Sequence, residues 1–255
     1  MTATPAAYPA GVKPFLLLAT RAEDAVADNE YEAFLDFTGL DEGSLRRHRL
    51  EAAPLGGLDL ADWSGLLVGG GPFNSSDPDD EKSPTQRRVE QELATLLDDV
   101  VAKDFPMLGA CYGIGTIGTH QGAVVDREHG EPIGPVEIRL TDEGCADPLF
   151  SVLPAAFQAF VGHKEAVRRL PPHVTHLASS AACPVQAFRV GKNVYATQFH
   201  PELDVHGLTL RIEAYRYAGY YDPAQMDALL ATARAGVVVE PPRLLQRFVE
   251  LHART

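Results

Sequence analysis

The stretch FPMLGACYGIGTIG, residues Phe105 to Gly118, places one cysteine among four glycines directly behind a short apolar run. The run PMLGAC is typical of a strand covered on both faces, and a helix is predicted to begin directly behind Cys111. A strand that turns at once into a helix delivers the turn residue to the carboxyl edge of a parallel sheet, where open α/β folds bind ligands. Small neighbours suit such a turn because its backbone is strained and closely packed. We therefore interpret Cys111 as the residue at a nucleophile elbow.

The local environment of Cys111 leaves more than one interpretation open. A helix N-terminus behind the sulfur favours the thiolate form, and the backbone N–H of Tyr112 is then free to bind an oxyanion. Glycine-rich turns between a strand and a helix also cradle phosphates, however, and many single cysteines are inert core residues. This stretch alone does not decide between a nucleophile, a phosphate site and a core residue.

The segments before this stretch alternate between buried strands and helices. Continuous apolar runs predict strands at Pro14–Thr20 and Gly65–Gly71, and a helix is predicted over Ala22–Phe37. A second helix begins behind Ser83, where serine, proline and glutamine form a capping-box pattern, and it ends near Lys103. The resulting β-α-β-α-β order predicts a parallel sheet with helices on both faces.

Short β segments are predicted behind Gly118. A hairpin with a turn at Gly191 and Lys192 follows them, and helices return from Gly207. The short segments lie at 123–127, 136–140, 157–162 and 173–179.

The fold class predicted from this order is α/β. We expect an open, mostly parallel, twisted sheet with helices on both faces, plus a small antiparallel β portion and a helical C-terminal extension. We divide the chain into a flexible N-terminal arm (1–12), one continuous domain (13–220) and the helical extension (221–255), packed on the same domain.

Composition and charge narrow the class of protein. The chain has 255 residues, of which 45% are hydrophobic, and a formal net charge of −13. This acidic balance disfavours nucleic acid and anionic membrane surfaces as partners, because phosphate binding needs clustered Lys and Arg. The densest basic spot is Arg46, Arg47 and Arg49, which we interpret as solvated surface.

The sequence predicts a cytoplasmic location. No apolar run approaches the roughly 20 residues that span a bilayer, and the stretch MTATPAAYPAGVKP lacks the basic and apolar regions of a signal peptide. Three cysteines without a close pair argue against a disulfide framework and favour a reducing compartment.

A second motif, QFHPE, provides a base for the cysteine. His200 follows a β-rich run, and Pro201 fixes the backbone so that the histidine lies at the end of the strand. The carboxylate of Glu202 is two residues away and can orient the imidazole. A chance pair or a fragment of a metal site would have the same local pattern, although no cluster of further zinc ligands accompanies it.

The stretches GGGPFN, GACYG and QFHPE, in this order and spacing, resemble the class I glutamine amidotransferases, specifically the glutaminase domain of GMP synthetase. The resemblance covers roughly residues 13–220 and implies the flavodoxin-like architecture of that family. It implies that Cys111 is the nucleophile and that His200 and Glu202 complete a catalytic triad. It also implies an oxyanion hole formed by Gly70, Gly71 and Tyr112.

The resemblance further implies a substrate pocket and a reaction. FVGHKEAV is similar to the S-H-G-D segment of the family, so Gly162, His163 and Lys164 are expected to line the glutamine pocket. The implied reaction is hydrolysis of the γ-carboxamide of glutamine through a γ-glutamyl thioester, without a metal or an organic cofactor. No phosphate loop of an ATP pyrophosphatase follows Glu202, so we expect a separate synthetase subunit to accept the ammonia.

Two glycines depart from the family pattern. Gly69 stands where the family usually has serine, and Gly115 stands where the family motif C-x-G-x-Q has a glutamine that binds the substrate's amino-acid end. We therefore expect weak binding of free glutamine, and we expect Gly115→Gln to lower KM where the helix tolerates it. A hydrolase of γ-glutamyl amides or peptides with the same triad stays an alternative, as does a catalytically idle regulatory module.

Overall fold

A computed structural model of the chain describes residues 11–217, 219 and 221–255, so most of the predicted arm lies outside the described residues. The strands are β1 (Phe15–Ala19), β2 (Leu45–Arg49), β3 (Gly65–Val68), β4 (Met107–Ala110), β5 (Val124–Asp126), β6 (Glu131–Leu140), β7 (Ala156–His163), β8 (Ala166–Arg169), β9 (Val174–Ser179), β10 (Ala187–Val190) and β11 (Val194–Thr197). The α-helices are α1 (Asp24–Thr38), α2 (Pro84–Ala102), α3 (Tyr112–His120), α4 (Asp142–Ala146), α5 (Val205–Ala214), α6 (Met226–Ala235) and α7 (Pro242–His252).

One large sheet organises the molecule. It has nine strands in the order β2-β1-β3-β4-β11-β10-β9-β6-β7, and β5 pairs with β8 in a separate two-stranded sheet. The first five strands of that order are parallel to one another, and the pairs from β11 to β7 are antiparallel. The predicted α/β class, with a mostly parallel sheet and an antiparallel portion, is confirmed.

The strand order places several chain segments at one edge of the sheet. The order reverses direction between β1 and β3, which is the switch point where open α/β sheets bind ligands. At the carboxyl ends of β1, β3, β4 and β11 lie, respectively, Thr20, the glycines from Gly69, Cys111 and Gln198. The predicted site residues therefore come together although the chain separates them widely.

The side chains of the central strands alternate between two hydrophobic cores. Phe15 and Leu17 of β1 face one cluster, which includes Phe248 of α7. Leu16 of β1 faces the other cluster, which includes Leu93 of α2. Both faces of the parallel strands are therefore buried, which explains why these strands are continuous apolar runs.

Arg46, Arg47 and Arg49, which were predicted as solvated surface, lie on strand β2; Arg46 is exposed as predicted, whereas Arg47 and Arg49 are half-buried. These residues pair in parallel register with β1 at the end of the sheet. Arg47 donates to Asp28 at 2.9 Å and Arg49 donates to Asp24 at 2.6 Å, so α1 supplies the counter-charges. An arginine-rich edge strand has no apolar alternation, and for this reason sequence periodicity did not predict it.

The start of α2 ties the loop in front of it to the sheet edge. The Ser83 hydroxyl accepts a hydrogen bond from the Gln86 N–H at 3.0 Å, as the capping-box pattern predicts. The Gln86 side chain does not complete the reciprocal bond but donates to the Asn74 carbonyl at 3.0 Å. This bond holds the loop that follows β3 next to the carboxyl edge.

The C-terminal helices lie against the same sheet. α7 contacts α1, and the rings of Phe248 and Phe15 lie 6.0 Å apart. The division of the chain at residues 220 and 221 remains a prediction. In the described part of the chain, no helix has both the length and the apolar character needed to span a bilayer.

We expect Phe248→Ala to lower the free energy of unfolding by about 3–5 kcal/mol, because the ring is fully buried and its removal leaves a cavity. Leu251→Ala, on the partly exposed side of the same helix, is the matched control and should cost under about 1 kcal/mol. Urea denaturation measures both. Equal, small losses would show that α7 is not part of the core.

Candidate active site

Cys111 occupies a strained turn between β4 and α3. Its backbone has φ 53° and ψ −93°, a conformation that costs a non-glycine residue roughly 1–3 kcal/mol. Two hydrogen bonds hold it there, from the Cys111 N–H to the Thr197 carbonyl at 2.8 Å and from the Ile114 N–H to the Cys111 carbonyl at 3.0 Å. The half-buried sulfur is thereby presented at the carboxyl edge of the sheet.

His200 and Glu202 reach the same edge from β11, which lies beside β4 in parallel register. The His200 N–H donates to the Phe160 carbonyl at 3.1 Å, which fixes the backbone behind the strand. His200 Nδ1 lies 2.7 Å from Glu202 Oε1, and His200 lines the same small pocket as Cys111. The structure therefore brings the three predicted triad residues together.

The charges of these groups depend on one another. Burial lowers the pKa of His200, but the Glu202 carboxylate and the Cys111 sulfur outweigh burial and raise it to about 9. Burial raises the pKa of Glu202, but His200 and the Arg211 guanidinium hold it well below its usual range. At neutral pH the pair is therefore an imidazolium next to a carboxylate.

A buried network of charges extends behind the triad. Arg211 donates Nη2 to Glu202 Oε1 at 3.0 Å and to Glu30 Oε1 at 3.4 Å. Arg21 donates Nε to Glu30 Oε1 at 2.9 Å. Both carboxylates are completely buried, and the two guanidinium side chains are 5% and 8% exposed.

Arg21, Glu30 and Arg211 were not predicted as site residues from the sequence. The available signal was a charged residue on the apolar face of an amphipathic helix. Glu30 lies on α1 with Val26 and Phe34, which are buried, and Arg211 lies on α5 between buried apolar neighbours. A charge at such a position requires a buried partner.

Two of the three predicted oxyanion residues lie beside Cys111. Gly71 and Tyr112 line a small pocket together with Cys111. The Gly70 carbonyl accepts a hydrogen bond from the Thr20 hydroxyl at 3.1 Å, which positions the turn behind β3. Because Tyr112 is the first residue of α3, no carbonyl of that helix can accept its N–H, and this donor is available to a ligand.

The predicted substrate residues Gly162, His163 and Lys164 line the same pocket. The His163 ring already has partners, since Nδ1 lies 2.7 Å from the Glu165 carbonyl and Nε2 lies 3.0 Å from Glu131 Oε2. The ring therefore fixes residues 162–164 in place. Because both ring nitrogens already have partners, His163 can offer a substrate only its backbone groups.

The groups around His163 also offer a possible metal ligand set. Single ligand atoms of Glu131, His163 and Cys183 lie within 4.8 Å of one another, and all three residues are buried. Glu131 already accepts from Ser180 at 2.7 Å as well as contacting His163, and the Cys183 thiol donates to a backbone carbonyl. Burial raises the pKa of Cys183 to about 12, so this thiol is protonated. These three residues therefore fit a structural hydrogen-bond network better than a metal centre.

At both glycines that depart from the family pattern, a glutamate carboxylate lies in the space of the missing side chain. A Cβ on Gly69 would lie 2.6 Å from Glu30 Oε2, and a Cβ on Gly115 would lie 2.5 Å from Glu165 Oε1. Glu165 is held by hydrogen bonds from backbone N–H groups and cannot simply move aside. The expectation that Gly115→Gln lowers KM stays a prediction, and its condition is that the Glu165 carboxylate moves to make room for the new side chain.

Comparison with known proteins defines the class of this fold and site. The family model for glutamine amidotransferase class-I matches residues 47–209. The chain belongs to this family, as the three sequence motifs predicted.

Several curated relatives are GMP synthases. The chain is 31% identical over 151 residues to the glutamine-hydrolysing GMP synthase subunit of Methanothermobacter thermautotrophicus, and the match covers 59% of this chain and 71% of that protein. It is 30% identical over 156 residues to the corresponding subunit of Thermoplasma acidophilum, covering 61% of this chain and 68% of that protein. In the GMP synthase of Borreliella burgdorferi the match spans only 26% of that protein's length, with 28% identity.

A solved structure shows the same fold. A glutamine amidotransferase from Thermotoga maritima superposes with a TM-score of 0.73 at 22% identity, covering 94% of this chain and 97% of that one. The fold class is therefore shared over nearly the whole chain.

The His200 ring should stay protonated at pH 7 and lose its proton as the pH rises through about 9. Because this pKa lies above the ordinary 6.5, the protonated ring stabilises the fold fully below pH 6.5, and this contribution is lost as the pH rises through 9. NMR titration of the ring, assigned with His200→Gln, measures the midpoint. Cys111→Ala should lower the His200 midpoint, because the Cys111 sulfur is one cause of the raised pKa. An unchanged midpoint would show that the sulfur does not influence the His200 ring.

Proposed function

We propose that the protein is a glutamine amidotransferase, or glutaminase, that hydrolyses the γ-carboxamide of glutamine through Cys111, His200 and Glu202. The observation that carries this proposal is the placement of these three side chains at the carboxyl edge of the sheet, where His200 is hydrogen-bonded to Glu202 and lines one pocket with Cys111. Membership of the class I family and the glutamine-hydrolysing relatives support it.

In the first half of the reaction, a γ-glutamyl thioester forms. Before the attack, the thiol proton of Cys111 already lies on His200, and Glu202 stabilises this imidazolium. The thiolate attacks the γ-carbon of the carboxamide, whose oxygen becomes an oxyanion. Backbone N–H groups of Tyr112 and of Gly70 or Gly71 stabilise it, each by about 3–4 kcal/mol. His200 then returns its proton to the departing nitrogen, and the C–N bond breaks to release ammonia.

In the second half, water cleaves the thioester. His200 removes a proton from the water as it attacks the same carbon, and the collapse of the second tetrahedral intermediate breaks the C–S bond. Glutamate leaves, and His200 keeps the proton that it took from the water, which restores the imidazolium beside the sulfur. The reaction balances without any metal or organic cofactor.

We propose that the ammonia passes to a separate synthetase subunit. Relatives that are named as one subunit of GMP synthase support this arrangement, since that name implies a further subunit in those proteins. A cytoplasmic location is part of the proposal, because the three cysteines are unpaired and a free thiol at the site needs a reducing compartment.

A second candidate is a hydrolase of γ-glutamyl amides or peptides with the same triad. The observation in its favour is the replacement of the family glutamine by Gly115, with Glu165 in the vacated space. The two candidates share every catalytic step and differ only in the leaving group. An idle regulatory module is disfavoured by the assembled triad.

We expect Cys111→Ala to reduce glutamate release from glutamine at least a thousandfold, because no other group can form the thioester. Cys145→Ala, which removes an exposed cysteine, is the control and should keep full activity. A diazo-ketone analogue of glutamine should label Cys111 alone by mass spectrometry. Hydrolysis of γ-glutamyl amides without hydrolysis of glutamine would establish the second candidate, and a loss below tenfold would exclude Cys111 from both.

Glu202→Gln should retain on the order of a hundredfold more activity than His200→Ala. The amide can still orient the imidazole, but it no longer balances the imidazolium charge. Steady-state rates of the two variants and of their combination provide the measurement, with Glu213→Gln on the exposed side of α5 as control. Equal residual rates would show that the two roles are assigned wrongly.

A further inference from the structure

The Glu165 carboxylate is a buried charge beside the Cys111 pocket that the catalytic steps do not use. Glu165 lines this pocket and is 6% exposed. Its Oε1 accepts from the Ser75 N–H at 2.9 Å and its Oε2 from the Ser76 N–H at 2.7 Å. Within the described residues it forms no ion pair with Lys or Arg, and burial raises its pKa. A carboxylate in this situation lacks a positive charge close to it.

A second acceptor lies in the same pocket. Gln198 follows β11, lines the pocket and is 1% exposed. Its Oε1 has no hydrogen-bond partner among the described residues. A buried amide oxygen without a partner costs free energy, which a ligand that donates a hydrogen bond would recover. A carboxylate and an unpaired amide oxygen together select a positively charged donor group.

The position of Glu165 depends on Gly115. Any side chain at residue 115 would start 2.5 Å from Glu165 Oε1 and 3.0 Å from the Ser75 hydroxyl. Because Gly115 has no side chain, the Glu165 carboxylate can occupy this space and line the Cys111 pocket.

We propose that Glu165, assisted by Gln198, binds the α-ammonium group of the substrate. The substrate class is then γ-glutamyl compounds with a free α-amino group. The contact with the ammonium group comes from a carboxylate on the segment behind β7 and not from a side chain on α3. This inference rests on the proposed function for the identity of the γ-glutamyl substrate. Glu165 acts as a specificity residue and takes no part in the bond-breaking steps.

Binding to Cys111→Ala tests the proposal without turnover. The two ligands are glutamine and glutaramate, which is glutamine without its α-amino group, and calorimetry measures their Kd values. Glu165→Gln in this background should weaken glutamine by roughly ten- to a hundredfold, because a hydrogen bond to a charged group is lost. Glutaramate should change less than about twofold, since it has no ammonium group to lose.

Two further variants guard against a purely structural effect. Glu90→Gln removes a carboxylate on α2 that pairs with Lys82 outside this pocket, and it should leave both Kd values unchanged. Gly115→Ala keeps the charge of Glu165 but pushes its carboxylate aside, and it should also reduce the preference for glutamine over glutaramate.

The outcomes separate this proposal from the proposed function. Equal weakening of both ligands by Glu165→Gln, or no weakening of glutamine, overturns the role of Glu165. Glutaramate that binds Cys111→Ala as tightly as glutamine overturns it as well. A wild-type protein that does not hydrolyse glutamine, while Glu165→Gln weakens glutamine alone, refutes the proposed reaction and leaves the ammonium site standing.

Discussion

The buried carboxylate of Glu202 is the interaction on which the site depends. It accepts hydrogen bonds from His200 Nδ1 at 2.7 Å and from Arg211 Nη2 at 3.0 Å, and it is completely shielded from water. Removing one partner of such a buried ion pair costs about 3–5 kcal/mol, because the other charge is left uncompensated. Arg211 in turn contacts Glu30, and Glu30 contacts Arg21, so the charges form one unit. The triad is therefore anchored to α1 and α5 as well as to its own strand.

The parallel sheet supplies the geometry that this unit requires. β4 and β11 are neighbours in register, so Cys111 and His200 emerge at the same edge although 89 positions separate them in the chain. The bond from the Cys111 N–H to the Thr197 carbonyl joins the two strand ends directly. A strained backbone conformation persists only when its surroundings over-determine it, and the strand pairing provides this constraint. The same strand pairing that stabilises the sheet thus places the Cys111 sulfur and the His200 imidazole at one pocket.

The sequence predicted those parts of the structure that have a local signal. Continuous apolar runs marked the buried strands, and the turn at Cys111 and the QFHPE motif marked the two chain segments that meet at the site. The edge strand β2 was not predicted because its arginines show no apolar period, and two of them, Arg47 and Arg49, pair with carboxylates of α1. Glu30 and Arg211 were not predicted for a different reason. Their partners lie on other elements, and only tertiary packing brings them together.

The position of Glu165 is the hardest feature to predict, because it depends on the absence of a side chain 50 positions away. Along the chain, a glycine at residue 115 removes a polar group from the pocket. In the folded protein, the same glycine admits a carboxylate from the segment behind β7, and Gly69 admits Glu30 in the same way. Where the family resemblance implies a neutral amide, this chain has a carboxylate that lines the Cys111 pocket. Loss of a motif residue therefore does not imply loss of its contact, since the space it vacates is open to a residue from a different strand.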